Sequence, residues 1–394
     1  MNPRIPGRRF LHSPGPTHVP EEVMDAMRRQ PMDLADVRVD QTIAACEQGL
    51  RRVLKTEKSR VLMFSANGHG AWEATIANVI PPGKKVLIPG TGHFSDSWAL
   101  QTESLGFPVV RTPWVEGLPI DVQAVEQVLR EDREHQIAAL FVIHTDTASG
   151  VTSDVPALRR TLDACAHPAL FVVDVVASLG AAPFEMDQWG VNVAVGASQK
   201  GLMVPPGLGI VAVDDRAMAV ATANPAPRFY WDWRLRDNSL SYRKFCGTAP
   251  QTLLAGLQAA LGLIELEGLD QVHARHRLLS SAVHAAVDAW STAGALDHFC
   301  TVPEARSVSV TTIKIGPGID PEALRKVARE RFQVSMAGGL GPLAGRAFRI
   351  GHLGDLNPAM ILGCLAGVEA AMTVLGIPFG RDGVARAVAR LAAD

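Results

Sequence analysis

Five short stretches hold side chains whose type and position could do chemistry. Lys200 sits in GASQKGLMVPPGLGIV, after an apolar run and before a Gly/Pro-rich turn. Burying an ammonium is costly unless it is paired or neutral. A lysine that forms a Schiff base is one solution, because desolvation lowers its pKa and makes the amine nucleophilic. A surface lysine on a turn is the plain alternative. Asp174 closes the apolar run ALFVVD, where the C-terminal end of a parallel strand meets the ligand crevice of an open α/β sheet. A carboxylate there can pair with the pyridine nitrogen of pyridoxal 5′-phosphate (PLP) and keep it protonated, so that the ring accepts electrons from a substrate Cα. A helix cap or tight turn would use the same residue.

The other three stretches suit anions. SANGHGAWEA (65–74) makes a Gly-bearing turn after VLMF and opens a helix, whose free N–H groups and dipole favour a phosphate. His69 there is either a phosphate cap or an ordinary turn residue. HTDTASG (144–150) supplies hydroxyls at another strand end, or is only a side-chain-bonded turn. Arg349 lies between Phe348 and Ile350 in FRIGHLGDL, suited to bidentate grip of a carboxylate or to a structural ion pair.

Rival chemistries lack their residues. Gly68-x-Gly70 is followed by Glu73 where a dinucleotide fingerprint needs its third glycine, and no GxxxxGK[ST], GxSxG or HExxH occurs. His273 and His276 share a helix face in HARH; with no third ligand they are expected to be solvated, and no metal site is expected. The five cysteines form no CxxC pair, which predicts a reducing, cytoplasmic compartment. A net charge of −2 gives no electrostatic reason for a nucleic acid or membrane partner. The basic N-terminus lacks the apolar stretch of a secretion signal, and no run approaches the ~18–20 uninterrupted apolar residues of a membrane helix.

These residues need a scaffold. Seven short apolar runs (61–65, 85–89, 107–112, 137–143, 169–176, 191–198 and 208–213) alternate with helical patterns such as 70–80, 121–131 and 154–166. The runs are apolar on both faces, which predicts an α/β domain with a mostly parallel seven-stranded sheet between helices. Long helical spacing follows over 249–293, with Gly268 as a break. A smaller C-terminal α+β domain is then predicted, with strands at 307–315, 333–337 and 346–351 and helices from Asp320-Pro321 and over 358–375. At 394 residues and 47% hydrophobic composition there is material for two cores. The expected division is an N-terminal segment 1–20 crossing between the parts, a large domain 21–265 and a small domain 266–394.

Taken together, GHGAWEA, HTDTASGV, VVDVVASLGAAPFEMDQWGV, GASQKGLMVPPGLGIV and FRIGHLGDLN resemble class V of the type I fold PLP enzymes. The likeness runs over nearly the whole chain, toward the serine–glyoxylate and alanine–glyoxylate aminotransferases. It implies that Lys200 holds the PLP aldehyde, that Asp174 pairs with the ring nitrogen, and that Val176 and Phe94 pack on the two ring faces. Asn67, Gly68, His69 and Gln199 would surround the phosphate and Thr147 would bond the ring hydroxyl. Thr248 of a second subunit would complete the phosphate cup, implying a homodimer with shared active sites, and Arg349 would hold the substrate carboxylate. The implied reaction moves an amino group from serine or alanine to glyoxylate or pyruvate. Leu34 and Ala35 stand where the family usually has an aromatic or His followed by Arg-Ser-Pro, and Gly247 stands where it usually has an aromatic. Both changes fall at the substrate end, so a larger, less polar donor is the alternative within the family. A PLP lyase, a non-catalytic PLP-binding protein and a nicotinamide dehydrogenase are the remaining rivals; 333–347 lacks the mobile cysteine that a desulfurase needs.

Overall fold

The computed structural model describes residues 7–393. In chain order its principal strands are β1 (Phe10–His12), β2 (Arg60–Ser65), β3 (Lys85–Pro89), β4 (Val109–Thr112), β5 (Ile137–Ile143), β6 (Leu170–Asp174), β7 (Val193–Ala197), β8 (Leu208–Val213), β9 (Leu296–His298), β10 (Val310–Ile315), β11 (Val334–Gly338) and β12 (Ala347–Gly351). The seven apolar runs read from the sequence are the seven strands of the large sheet, in the order β2-β8-β7-β6-β5-β3-β4. Only β8 runs antiparallel to its neighbours. Alternate residues of one strand point to opposite faces. Thus Leu140 and Val142 enter one core and Phe141 and Ile143 the other.

A second sheet, β1-β11-β12-β10-β9, carries its own core of Leu279, Val283, Phe348, Leu365 and Val368. Its edge strand comes from the far end of the chain: Phe10, Leu11 and His12 pair in parallel with Val334, Ser335 and Met336. The chain then returns to the large sheet, where the Thr17 N–H donates to the Gln199 carbonyl (3.3 Å) and its hydroxyl to the Lys200 carbonyl (3.0 Å). Helix Gln251–Glu267 meets the helical run from Leu269 at 84° across Gly268, whose φ of +85° is a conformation that glycine reaches without steric penalty.

One expectation needs correction. His273 and His276 are buried, not solvated, at 4% and 0% exposure. His276 bonds the Val272 carbonyl through Nδ1 (2.7 Å) and accepts the Gly354 N–H at Nε2 (3.0 Å), so one ring satisfies two backbone groups at a helix–loop junction. Helix Pro358–Leu375 is long and apolar enough to cross a membrane by length and composition, although Glu369 interrupts its apolar run. Its Ile361, Leu365, Val368 and Met372 are core residues of the second sheet. Its Glu369 accepts from the Trp290 indole (2.9 Å) and the Val384 N–H (2.9 Å), as a core helix of a folded domain would.

Candidate active site

Parallel strands leave a crevice at their C-terminal ends. Here Asn67, Gly68, His69, Phe94, Thr147, Asp174, Val176, Gln199 and Lys200, all singled out from the sequence, line one cavity of about 280 Å³. β2 delivers Asn67, which caps helix Gly68–Val79 by accepting the Gly70 N–H (3.1 Å). The earliest N–H groups of that helix have no intrahelical acceptor, which prepares the cavity floor for an anion. A Cβ on Gly68 would meet Val176 Cγ2 at 3.3 Å, so the glycine keeps this floor open.

Asp174 closes β6 at 3% exposure. Its Oδ1 accepts the Val176 N–H (2.7 Å) and its Oδ2 the Trp72 indole N–H (2.5 Å). Burial pushes its pKa up to about 7, against those two hydrogen bonds and the charge of Lys200. Lys200 is 9% exposed. Burial, and then the nearby Arg349 charge, bring its amine down to about 8, opposed by Asp174 and Asp146. It is therefore no turn lysine on the surface, and an amine near neutrality is a competent nucleophile. Its Nζ donates to the Pro14 carbonyl (2.6 Å). Gly15 lies directly above, where a Cβ would come within 2.5 Å of Nζ.

Arg349 on β12 stands beside this cavity. It donates from Nη1 to the Thr147 carbonyl (2.8 Å) and from Nε to the Gly338 carbonyl (2.7 Å). Among the described residues no carboxylate forms an ion pair with it, so the structural ion pair is not what the structure holds. Burial lowers its pKa to about 10, with Asp146 the main opposing charge. A guanidinium has five donors, so Arg349 keeps three for an anionic partner.

Leu34, Ala35 and Thr248 are not brought to the cavity of their own chain; all three are exposed. Sequence reasoning also passed over two residues. Trp72 lines the cavity and bonds Asp174, 102 positions away. Asp146, within the HTDTASG segment, is fully buried. It accepts from the Phe94 N–H (2.9 Å), the Ala148 N–H (2.8 Å) and the Thr91 hydroxyl (3.3 Å), and so fixes the helix start that carries Phe94 relative to Thr147. The signal available was an aspartate two residues before a small residue at a strand end, an Asx turn.

Residues 9–342 match the family described as Aminotransferase class-V. The chain is 41% identical over 370 residues, covering 93% of it and 91% of the relative, to the L-aspartate–glyoxylate aminotransferase of Paracoccus denitrificans. It is 38% identical over 381 residues, 95% and 93% of the two chains, to the serine–glyoxylate aminotransferase of Methylorubrum extorquens. The crystal structure of pyridoxamine–pyruvate aminotransferase from Mesorhizobium loti superposes with a TM-score of 0.90 at 27% identity, covering 99% of this chain and all of that one.

Proposed function

The chain belongs to the class-V aminotransferases, and from that premise we propose that it moves an amino group from a small amino acid to glyoxylate or pyruvate, using PLP held in the cavity at the strand ends of the large sheet. The observation that carries this reading is the convergence of a buried lysine, a buried aspartate and an anion-ready helix start on one cavity. The residues fit the cofactor. Lys200 would hold its aldehyde and Asp174 its ring nitrogen, with Val176 and Phe94 on the ring faces. Asn67, Gly68, His69 and Gln199 would surround its phosphate, and Thr147 would bond its hydroxyl. Gln199 Oε1 is buried without a hydrogen-bond partner, a polar atom that a bound group would satisfy. PLP supplies an electron sink for the bond broken at the substrate Cα.

The chain's own groups do the rest. Asp174 holds a proton at the ring nitrogen. Lys200, with its pKa near 8, takes and returns the Cα proton close to neutral pH. Arg349 grips the substrate carboxylate through its three remaining donors. Serine, alanine and aspartate are the donors to compare, since serine and aspartate are named for relatives of similar identity.

The finer reading is a homodimer with shared sites in a reducing, cytoplasmic setting. Exposed Val37, Phe229, Leu240 and Tyr242 (62%, 70%, 58% and 58%) favour a covered face. Thr248, Leu34 and Ala35, which are exposed and do not line their own chain's cavity, would then serve a neighbour's. The five free cysteines suit a reducing compartment.

Purified protein supplied with PLP should be yellow, and borohydride should fix a pyridoxyl group on Lys200. Half-reactions with serine, alanine and aspartate, then with glyoxylate and pyruvate, should identify the pair. A protein that stays colourless with PLP refutes the reading.

A further inference from the structure

Asp174 is held by two donors from its own chain, and one of them has no counterpart in the assignments above. Val176 donates a backbone N–H to Oδ1 (2.7 Å), and Trp72 donates its indole N–H to Oδ2 (2.5 Å). An indole nitrogen is a donor only. It can never accept a proton from a neutral carboxylic acid, so it selects the carboxylate form of its partner. Burial favours the opposite form, pushing Asp174 up to about 7. Lys200 and Asp146 are the charged groups that also face Asp174, and they act in opposite senses.

The indole is not free to turn away. It stacks on Trp98 (ring centroids 5.1 Å apart, planes 10° apart), which stacks in turn on Phe141 of β5 (4.5 Å, 24°). The His69 ring packs on Trp72 at 4.6 Å. Phe141 and Trp98 are both fully buried. The column therefore aims one N–H at one carboxylate oxygen and fixes the carboxylate's rotation, leaving its remaining lone pairs for a donor in the cavity.

We infer that Trp72 is a positioning residue for the aminotransferase reaction: its indole N–H holds Asp174 as an oriented carboxylate for the ring nitrogen of the cofactor. The inference rests on the PLP reading above. The same stack contains its own control. Trp98 is equally buried and equally aromatic, but its Nε1 has no hydrogen-bond partner. Trp98→Phe keeps a ring in the stack and removes no bond to Asp174.

The test uses holoenzyme loaded with PLP labelled with ¹⁵N in the ring, as wild type, Trp72→Phe and Trp98→Phe. In Trp72→Phe the ring-nitrogen resonance should move toward the unprotonated position. The rate of the amino-donor half-reaction should fall by roughly 10- to 100-fold, as for a lost charged hydrogen bond, with donor KM changed by less than about threefold. Trp98→Phe should leave the resonance where wild type has it. A wild-type resonance and rate in Trp72→Phe, or an equal displacement in Trp98→Phe, overturns the inference and leaves the cofactor reading standing. Failure of wild type to take up PLP overturns that reading instead. Should Trp72→Phe not fold, the Trp72 indole proton itself decides: in wild type it should resonate well downfield and move upfield in Asp174→Asn, and no movement overturns the inference.

Discussion

Replacing Asp174 with Asn should stabilise the cofactor-free protein while abolishing turnover. The carboxyl of Asp174 has its pKa raised from 3.8 to about 7 in the folded chain. Between those two values the folded protein holds a proton that the unfolded chain has lost, so stability falls as pH rises across that window. At 1.36 kcal/mol per unit the full penalty above about pH 7 is about 4 kcal/mol. Asn cannot ionise and escapes it. Asn has one acceptor oxygen where Asp174 uses two, for Val176 and Trp72, and losing one bond costs about 1–2 kcal/mol. The net expectation near pH 8 is a gain of about 2–3 kcal/mol, turning into a loss of about 1–2 kcal/mol below about pH 4. Urea unfolding of both cofactor-free proteins across this range measures the difference, in which the titrating groups that do not feel Asp174 cancel; Lys200, which does, is removed from the comparison by making both proteins Lys200→Ala. A stability gap that is the same at both ends would refute the reasoning, and so would a loss at pH 8. With PLP bound, the variant should lose roughly 10³-fold or more in rate.

Arg349→Ala should raise KM for the amino donor and the oxo-acid acceptor alike, by roughly 10- to 100-fold; an effect on one substrate alone would remove it from the shared carboxylate. Gly15→Ala places a methyl within 2.5 Å of Lys200 Nζ at a φ of +137°, and should slow PLP capture followed by absorbance; an unchanged rate would show that the lysine is not confined there. His12, His276 and His352 have pKa values lowered by burial to about 4, 3 and 3. In the Asp174→Asn background, stability should therefore fall steadily as pH drops from about 6.5 toward 4, and a flat urea midpoint over that interval would contradict this. In mixtures of Lys200→Ala with Thr248→Ala chains, PLP affinity should differ from that of either parent if sites are shared, and mixtures that never differ rule out the contribution of Thr248 to a neighbour.

The large sheet was legible because its strands are apolar on both faces and end in polar or Gly-bearing turns, a pattern that burial between two helix layers imposes. Lys200 and Asp174 stood out for the same reason, as charges at the ends of such runs. What was not legible depends on distance in the chain. Nothing local to GHGAWEA says that the indole of Trp72 reaches the carboxylate of Asp174. Nothing in HARH says that His276 lies under the Gly354 loop, so that pair read as solvent-facing. Asp146 was hidden inside a turn signature that its bond to the nearby Ala148 N–H already explains, and its bonds to the Phe94 N–H and the Thr91 hydroxyl reveal its second task. Arg349 read equally well as an ion pair until its neighbours proved to be carbonyls.

The edge strand Phe10–His12 has a consequence for the order in which the protein can be completed. Its partners, Val334 to Met336, leave the ribosome more than 300 residues after it does. At about 5–20 residues per second of synthesis, the N-terminal segment waits some tens of seconds without its strand neighbour, while the large sheet between them is already able to form. Pro14 and Gly15, which roof Lys200, follow directly after that strand and are anchored by it. The lid of the cavity is thus set in place after the elements it covers, although it is made before them. Lys200 itself is made about 130 residues before that partner strand, so in a nascent chain its amine is uncovered over that shorter stretch of synthesis, open to a small aldehyde from solution before the roof is fastened.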